Sequence, residues 1–177
     1  MDLSIFNALH GIAGKWRFLD WLLIFTGKLL PYIAALAVVI LIFKIGGWKN
    51  RWFVFAESSL AIIGGWGIIN RVVQYFYHRL QPFVNFSFEP VFAHKITASF
   101  PSDHATVLAA LATVFLFYNR GFGYVLWGVA AAVGFARIAS GLHWPSDVLV
   151  GLLIGSALAL ISHFMIKPFK SESKNGN

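Results

Sequence analysis

The sequence predicts an all-α integral membrane protein: a bundle of about five transmembrane helices preceded by an N-terminal interfacial helix. Three observations carry this. Hydrophobic residues make up 58% of the chain and charged residues only 12%, about half the charged share of an ordinary soluble domain. Several apolar runs approach the roughly 20 residues a helix needs to cross a bilayer. Lys and Arg gather at the ends of those runs, where they set topology.

Taken in order, Leu3, Ile5, Phe6, Leu9 and Ile12 can share one helical face, so residues 3–17 are expected as a helix lying on the membrane. Phe18 to Phe43 is the first span, interrupted by Lys28, a snorkelling or cavity-facing residue, and by a kink at Pro31. Gly46-Gly47 makes a turn. Trp52 to about Tyr77 is the second span, with a flexible Gly64-Gly65 pair. Residues 78–100 form a polar-aromatic loop containing Pro82 and Pro90. His104 to Tyr118 is a third span, short on its own. Phe122 to Ala139 is the fourth, rich in the Ala and Gly that allow close helix packing. Pro145 to Ile166 is the fifth. One domain over 1–170 is expected, with a disordered polar tail at 171–177.

The net charge of +7 does not point to nucleic acid, because the basic residues form no stripe among polar ones. Lys44, Lys49 and Arg51 lie between spans one and two, Arg120 between three and four, and Lys167, Lys170 and Lys174 after five. Five spans place all three groups on one side, which their charge marks as cytoplasmic. The loop 78–100, residues 101–104, Arg137 and His143 then share the outer face. Cysteine is absent, which excludes a disulfide framework and thiolate metal sites. The first residues show no cleavable signal peptide pattern.

Two segments on that outer face carry chemistry. Ser99-Phe100-Pro101-Ser102-Asp103-His104-Ala105 precedes span three. Ser or Asp there is an N-cap signal, the free N–H groups of a helix start bind phosphate, and His104 falls in the first turn. A capped helix with an incidental histidine would read the same way. The second segment is Arg137-x5-His143-x3-Asp147. Pro145 suits the first position of span five, and Asp147, one turn on, can reach back to His143. A carboxylate on one imidazole nitrogen leaves the other free to attack, and Arg137 can hold phosphate oxygens in a planar fork. An interfacial Arg–Asp pair beside a spectator histidine is the alternative.

Arg71, Gln74, Arg79, Gln81 and Pro82 mark the outer end of span two. Arg71 and Arg79 either reach phosphate or snorkel to the interface. Glu57 is expected near the inner end of the span, facing headgroups or Arg51. His10, His78, His94 and His163 have no carboxylate at a telling spacing and are expected at the interface, like most Trp and Tyr residues. Lys95 is a solvated loop lysine or a lure for an anionic headgroup.

Together these segments resemble the type 2 phosphatidic acid phosphatase superfamily over roughly residues 51–166. Its pattern is Lys-x6-Arg-Pro, then Pro-Ser-Gly-His, then Ser-Arg-x5-His-x3-Asp. Asp103 in place of the Gly, the small size, and the start with Ile5-Phe6 and His10-Gly11 look like the bacterial undecaprenyl-diphosphatase branch associated with bacitracin resistance. The first motif departs: Gln81-Pro82 stands for Arg-Pro and Gln74 for Lys, and Ala136 replaces the Ser before Arg137.

The resemblance implies a lipid phosphatase in the bacterial inner membrane, with its site on the outer face, recycling the polyprenyl carrier of cell-wall synthesis. It makes His143 the nucleophile, Asp147 its orienting partner, and His104 the acid and then the base. Arg137, Ser102, Asp103, Arg79, Arg71 and Gln81 form the implied substrate-binding set. No metal and no cofactor are implied; the partners are a polyprenyl or glycerolipid phosphate and the bilayer, not nucleic acid. Phosphatidate or phosphatidylglycerophosphate as substrate is the alternative within the same chemistry. Outside it stand a zinc hydrolase using His104, His143 and Asp147, a Ser102 nucleophile without its usual elbow, and a lipid carrier or flippase that hydrolyses nothing.

Overall fold

The computed structural model describes the backbone of residues 1–175 and the side chains of residues 1–169, so the polar tail expected at 171–177 lies outside the residues described in full. Every regular element among them is helical. We number them α1 (Asp2–His10), α2 (Arg17–Lys44), α3 (Trp48–Phe76), a short α4 (Pro82–Asn85), α5 (Asp103–Tyr118), α6 (Arg120–Ala139) and α7 (Pro145–Asn175).

Four helices, α2, α3, α6 and α7 up to Phe169, are long and apolar enough to cross a membrane. Their outward faces carry large apolar side chains such as Phe18, Leu36, Phe43, Val125, Leu153 and Phe164, which in water would be an aggregation hazard and in lipid is the expected surface. The fifth, α5, has 16 residues, about 24 Å of helix, shorter than the roughly 30 Å apolar layer. It sits at the centre of the bundle against α3, α6 and α7, and Ala105, Thr106 and every residue from Leu108 to Phe115 are buried. Small residues permit this packing. A Cβ on Gly155 of α7 would fall 2.1 Å from the Thr106 carbonyl oxygen, and one on Gly151 would fall 2.6 Å from that of Ser102.

The interruptions in the first two spans take a different form from those expected. In α2 the backbone is π-helical over Phe25–Leu29, just before Pro31. Proline has no N–H to offer the carbonyl four residues back and its ring crowds that carbonyl. A wider turn relieves both and releases the carbonyl of Gly27. In α3 residues Ile63–Asn70 are also π-helical. Gly64 and Gly65 are contact points, not a flexible pair: a Cβ on Gly64 would meet Leu158 at 2.8 Å and one on Gly65 would meet Thr106 at 3.0 Å.

One further expectation is narrowed and one corrected. The N-terminal helix ends at His10 and is docked, with Phe6 buried against Trp144, Phe86 and His10. His10 is held there too, its Nδ1 2.7 Å from the Ala139 carbonyl. Glu57 faces neither headgroups nor Arg51. It is fully buried, accepts a 2.6 Å hydrogen bond from the Tyr118 hydroxyl, and pairs at 3.1 Å with His163. An apolar interior makes a lone carboxylate costly, and the fold supplies partners that sequence spacing conceals.

Candidate active site

Pro145 starts α7, and Asp147 lies in its first turn with no exposed surface. Its carboxylate is crowded with donors. It accepts from the Trp144 amide at 2.8 Å, from Arg79 Nη1 at 2.7 Å and from the Ser99 hydroxyl. His143 occupies the turn between α6 and α7, whose tight path uses Gly141 at φ +83°. Its Nδ1 is 3.7 Å from Asp147 and 2.9 Å from the Ser99 carbonyl oxygen. The shorter contact is the hydrogen bond. A carbonyl only accepts, so Nδ1 carries the proton and Nε2 keeps its lone pair. The expected carboxylate contact is therefore close but indirect, and Ser99 joins the two residues by holding both.

Arg137 is 3% exposed near the C-terminal end of α6. Its Nη1 donates to the Gly27 carbonyl at 3.2 Å, the carbonyl released ahead of Pro31. The same nitrogen lies 3.4 Å from His104 Nε2, and Nη2 lies 3.4 Å from His94 Nε2. Its Nε has no partner, and among the described residues no carboxylate forms a salt bridge with it. A buried guanidinium without a counter-charge is an electrostatic vacancy for an anion.

That vacancy faces a cavity of about 400 Å³ lined by His94, Lys95, Asp103, His104, Arg137 and His143, with Gln74, Pro101 and the backbone around Thr97 completing the wall. A second, apolar groove of about 350 Å³ shares Asp103 and His104 with it and runs between Tyr32, Trp66, Val107, Leu108 and Leu111. The two imidazoles expected to act together line one cavity.

Outside the spanning segments, burial and then Arg137 lower the affinity of His143 for a proton, against an opposing pull from Asp147 and the Ser99 carbonyl. His94 is brought down to about 4 by burial, then by Arg137 and His143. Both rings are neutral at pH 7 in the empty site.

The remaining members of the expected phosphate-binding set are placed differently. Ser102 is buried, its hydroxyl has no partner, and it does not line the cavity. Arg79 is turned away from the cavity toward Asp147, Asp2 and Ser146 and lies over the Trp144 ring at 4.9 Å. Gln81 is buried and accepts from the Thr97 amide at 3.1 Å, bracing the loop. Arg71 pairs with Asp103 at the cavity rim, and Asn70 at 2.9 Å and Gln74 at 3.1 Å donate to the same carboxylate. His94, Ser99 and Asp2 are the residues sequence reasoning missed. Only Ser99 carried a signal, as the first residue of the segment already singled out; His94 and Asp2 reach the site from a loop and from the N-terminal helix, with no local pattern to mark them.

The family model described as PAP2 superfamily matches residues 55–170. Undecaprenyl-diphosphatase BcrC of Bacillus subtilis (strain 168) is 32% identical over 91% of this chain and 82% of its own length. The putative undecaprenyl-diphosphatase YbjG of Escherichia coli (strain K12) is 28% identical over 88% of this chain and 77% of its own. Among solved structures, Aquifex aeolicus LpxE superposes with a TM-score of 0.73 at 22% identity, covering 91% of this chain and 93% of that one. The PAP2-type phosphatidylglycerolphosphate phosphatase of Bacillus subtilis superposes at 0.65 and 21% identity, covering 96% and 86%. These two show the shared fold.

Proposed function

The chain belongs to the PAP2 superfamily, and from that premise we propose that it is a membrane phosphatase that removes the terminal phosphate of undecaprenyl diphosphate. The carrying observation is Arg137: a buried guanidinium that, among the described residues, has a free Nε and no carboxylate counter-ion, and faces a cavity walled by three imidazoles. A phosphoryl group supplies the missing charge and accepts from the fork. The relatives named as undecaprenyl-diphosphatases support the choice of substrate. The apolar groove that meets the cavity at Asp103 and His104 gives an isoprenoid tail a path from the lipid.

In this reading His143 Nε2 attacks the terminal phosphorus. The phosphorus–bridging-oxygen bond breaks, and His104 gives its proton to the departing undecaprenyl phosphate. The negative charge of the bound diphosphate favours the protonated form of His104 for this step. Water then attacks the phosphohistidine, His104 takes a proton from it, and inorganic phosphate leaves. Asp147 stabilises the imidazolium that forms on His143. Arg137, His94 and Lys95 meet the phosphoryl oxygens as charge shifts in the transition state. Asp103, paired with Arg71 and hydrogen-bonded by Asn70 and Gln74, forms the rim between headgroup and tail.

The site end of the bundle is read as the outer face of the bacterial cell membrane, because the basic residues at the helix ends opposite it mark the cytoplasmic side. The test is phosphate release by purified protein from undecaprenyl diphosphate, phosphatidate and phosphatidylglycerophosphate, in detergent and after exposure to a strong chelator. Fastest release from the diphosphate, unaffected by the chelator, is expected. Preference for a monophosphate would change the substrate, and no release from any would replace the enzyme with a carrier.

A further inference from the structure

Three segments far apart in the chain meet beside the reaction centre: α1, the connection after α3, and the start of α7. The Asp2 carboxylate on α1 accepts from the Ser146 amide at 2.9 Å, from the Ser146 hydroxyl at 2.6 Å, and from Arg79 Nη2. The other end of the same guanidinium donates to Asp147. Phe6, one turn after Asp2 and 1% exposed, packs against Trp144 with ring centroids 5.3 Å apart, and Arg79 lies over that same ring. Apolar docking thus fixes the register in which Asp2 meets Arg79. α1 lies outside the residues matched to the family model, which begin at 55.

We propose that Asp2 is a positioning residue for the reaction, acting through Arg79 to decide how much of the Asp147 charge reaches His143; this rests on the function proposed above. Asp147 has two claimants. On one side Arg79 binds it directly, and on the other the imidazole draws on it when a phosphohistidine forms. A guanidinium with Asp147 as its only carboxylate would saturate that charge and weaken the basicity of His143. Asp2 takes the second half of the fork, which balances Arg79 and leaves Asp147 a net anion toward the ring. The other charged and titratable groups around His143 are Arg137 from α6, His104 and Asp103 from α5, and His94 and Lys95 from the loop, and none of them touches Asp2.

The experiment is a ring-nitrogen NMR titration of His143 in the full, histidine-labelled chain in detergent, paired with pH profiles of phosphate release. In Asp2→Asn the titration midpoint of His143 should fall by about half a unit. The acid limb of kcat/KM should follow it downward, and kcat should drop while KM holds. Arg79→Gln should move both the opposite way, and Asp2→Asn added to Arg79→Gln should move them no further, because the path runs through Arg79. Should Asp2→Asn alone fail to fold, the double variant, which removes both charges, still has to match Arg79→Gln. An unchanged midpoint in Asp2→Asn, or a further shift in the double variant, overturns the proposal and leaves α1 a packing element. The NMR shift without phosphate release in the unaltered protein would overturn the phosphatase reading and leave this coupling standing.

Discussion

The Nδ1 of His143 lies 2.9 Å from the carbonyl oxygen of Ser99, a residue 44 positions away, and Ser99 also donates its hydroxyl to Asp147. One loop residue thereby sets the tautomer of the ring and ties down the carboxylate beside it. A side-chain substitution at Ser99 leaves the carbonyl in place and removes only the hydroxyl. Ser99→Ala should therefore keep activity within about tenfold of the unaltered enzyme, the worth of one hydrogen bond, read as kcat for phosphate release. A loss as deep as that of His143→Ala would mean the hydroxyl does more than brace Asp147.

The two histidines differ in what their loss should cost. In the proposed mechanism His143→Ala removes the attacking atom, and it should leave no turnover. His104→Ala removes only the proposed acid–base help, and should cost roughly 10²–10⁴ in rate. A leaving group that needs no proton should recover part of that loss. Monodispersity and melting temperature in detergent check that both variants stay folded.

Stability should fall on the acid side of neutrality. His143 and His94 bind a proton more weakly in the fold than in the unfolded chain, His94 down to about 4. The unfolded state therefore takes up protons first as pH drops, and stability present above about 6.5 is lost progressively toward pH 4. Asp2 acts lower still. Burial raises its affinity for a proton, but the bonds from Ser146 and Arg79 outweigh this and leave it below 3.8, so its contribution is lost only beneath that value. Melting temperatures from pH 8 to 4 should decline along this course, and His94→Gln should flatten the slope. Inorganic phosphate or vanadate should restore stability between pH 6 and 5, since an anion beside the imidazoles favours their charged forms.

Pro31 and Arg137 are predicted to be coupled. Pro31→Ala restores an N–H that competes with Arg137 for the Gly27 carbonyl. Its effect should be a rise in KM of about tenfold or less, one hydrogen bond in size. Arg137→Lys should be far worse, about 10²–10³ in kcat, because an ammonium cannot present a planar fork to phosphate. Comparable effects of the two substitutions would detach the helix irregularity from the site.

Glu57, at the far side of the bundle from the cavity, should matter for stability alone. Glu57→Leu leaves His163 and the Tyr118 hydroxyl without the carboxylate they share, a loss of about 1–3 kcal/mol, the cost of a buried hydrogen-bonding group deprived of its partner. A lower melting temperature with unchanged kcat is expected. A change in kcat would place this cluster in communication with the site.

The helical membrane class, the span order and the chemical segments around His104, Arg137 and His143 were legible in the sequence, because each rests on local information. Apolar runs of bilayer length report helices whatever they pack against, and a Pro two residues after a histidine reports a helix start on its own. The tertiary structure decided which side chains share a partner. Arg79 reads as one more interfacial cation until the fold sets it between Asp2 and Asp147, and His94 reads as a loop histidine until Arg137 is seen beside it. Hydrophobic burial drives segments together by face and not by sequence distance. Polar groups carried into the interior must then find whatever partners that packing delivers, and no spacing along the chain records the match.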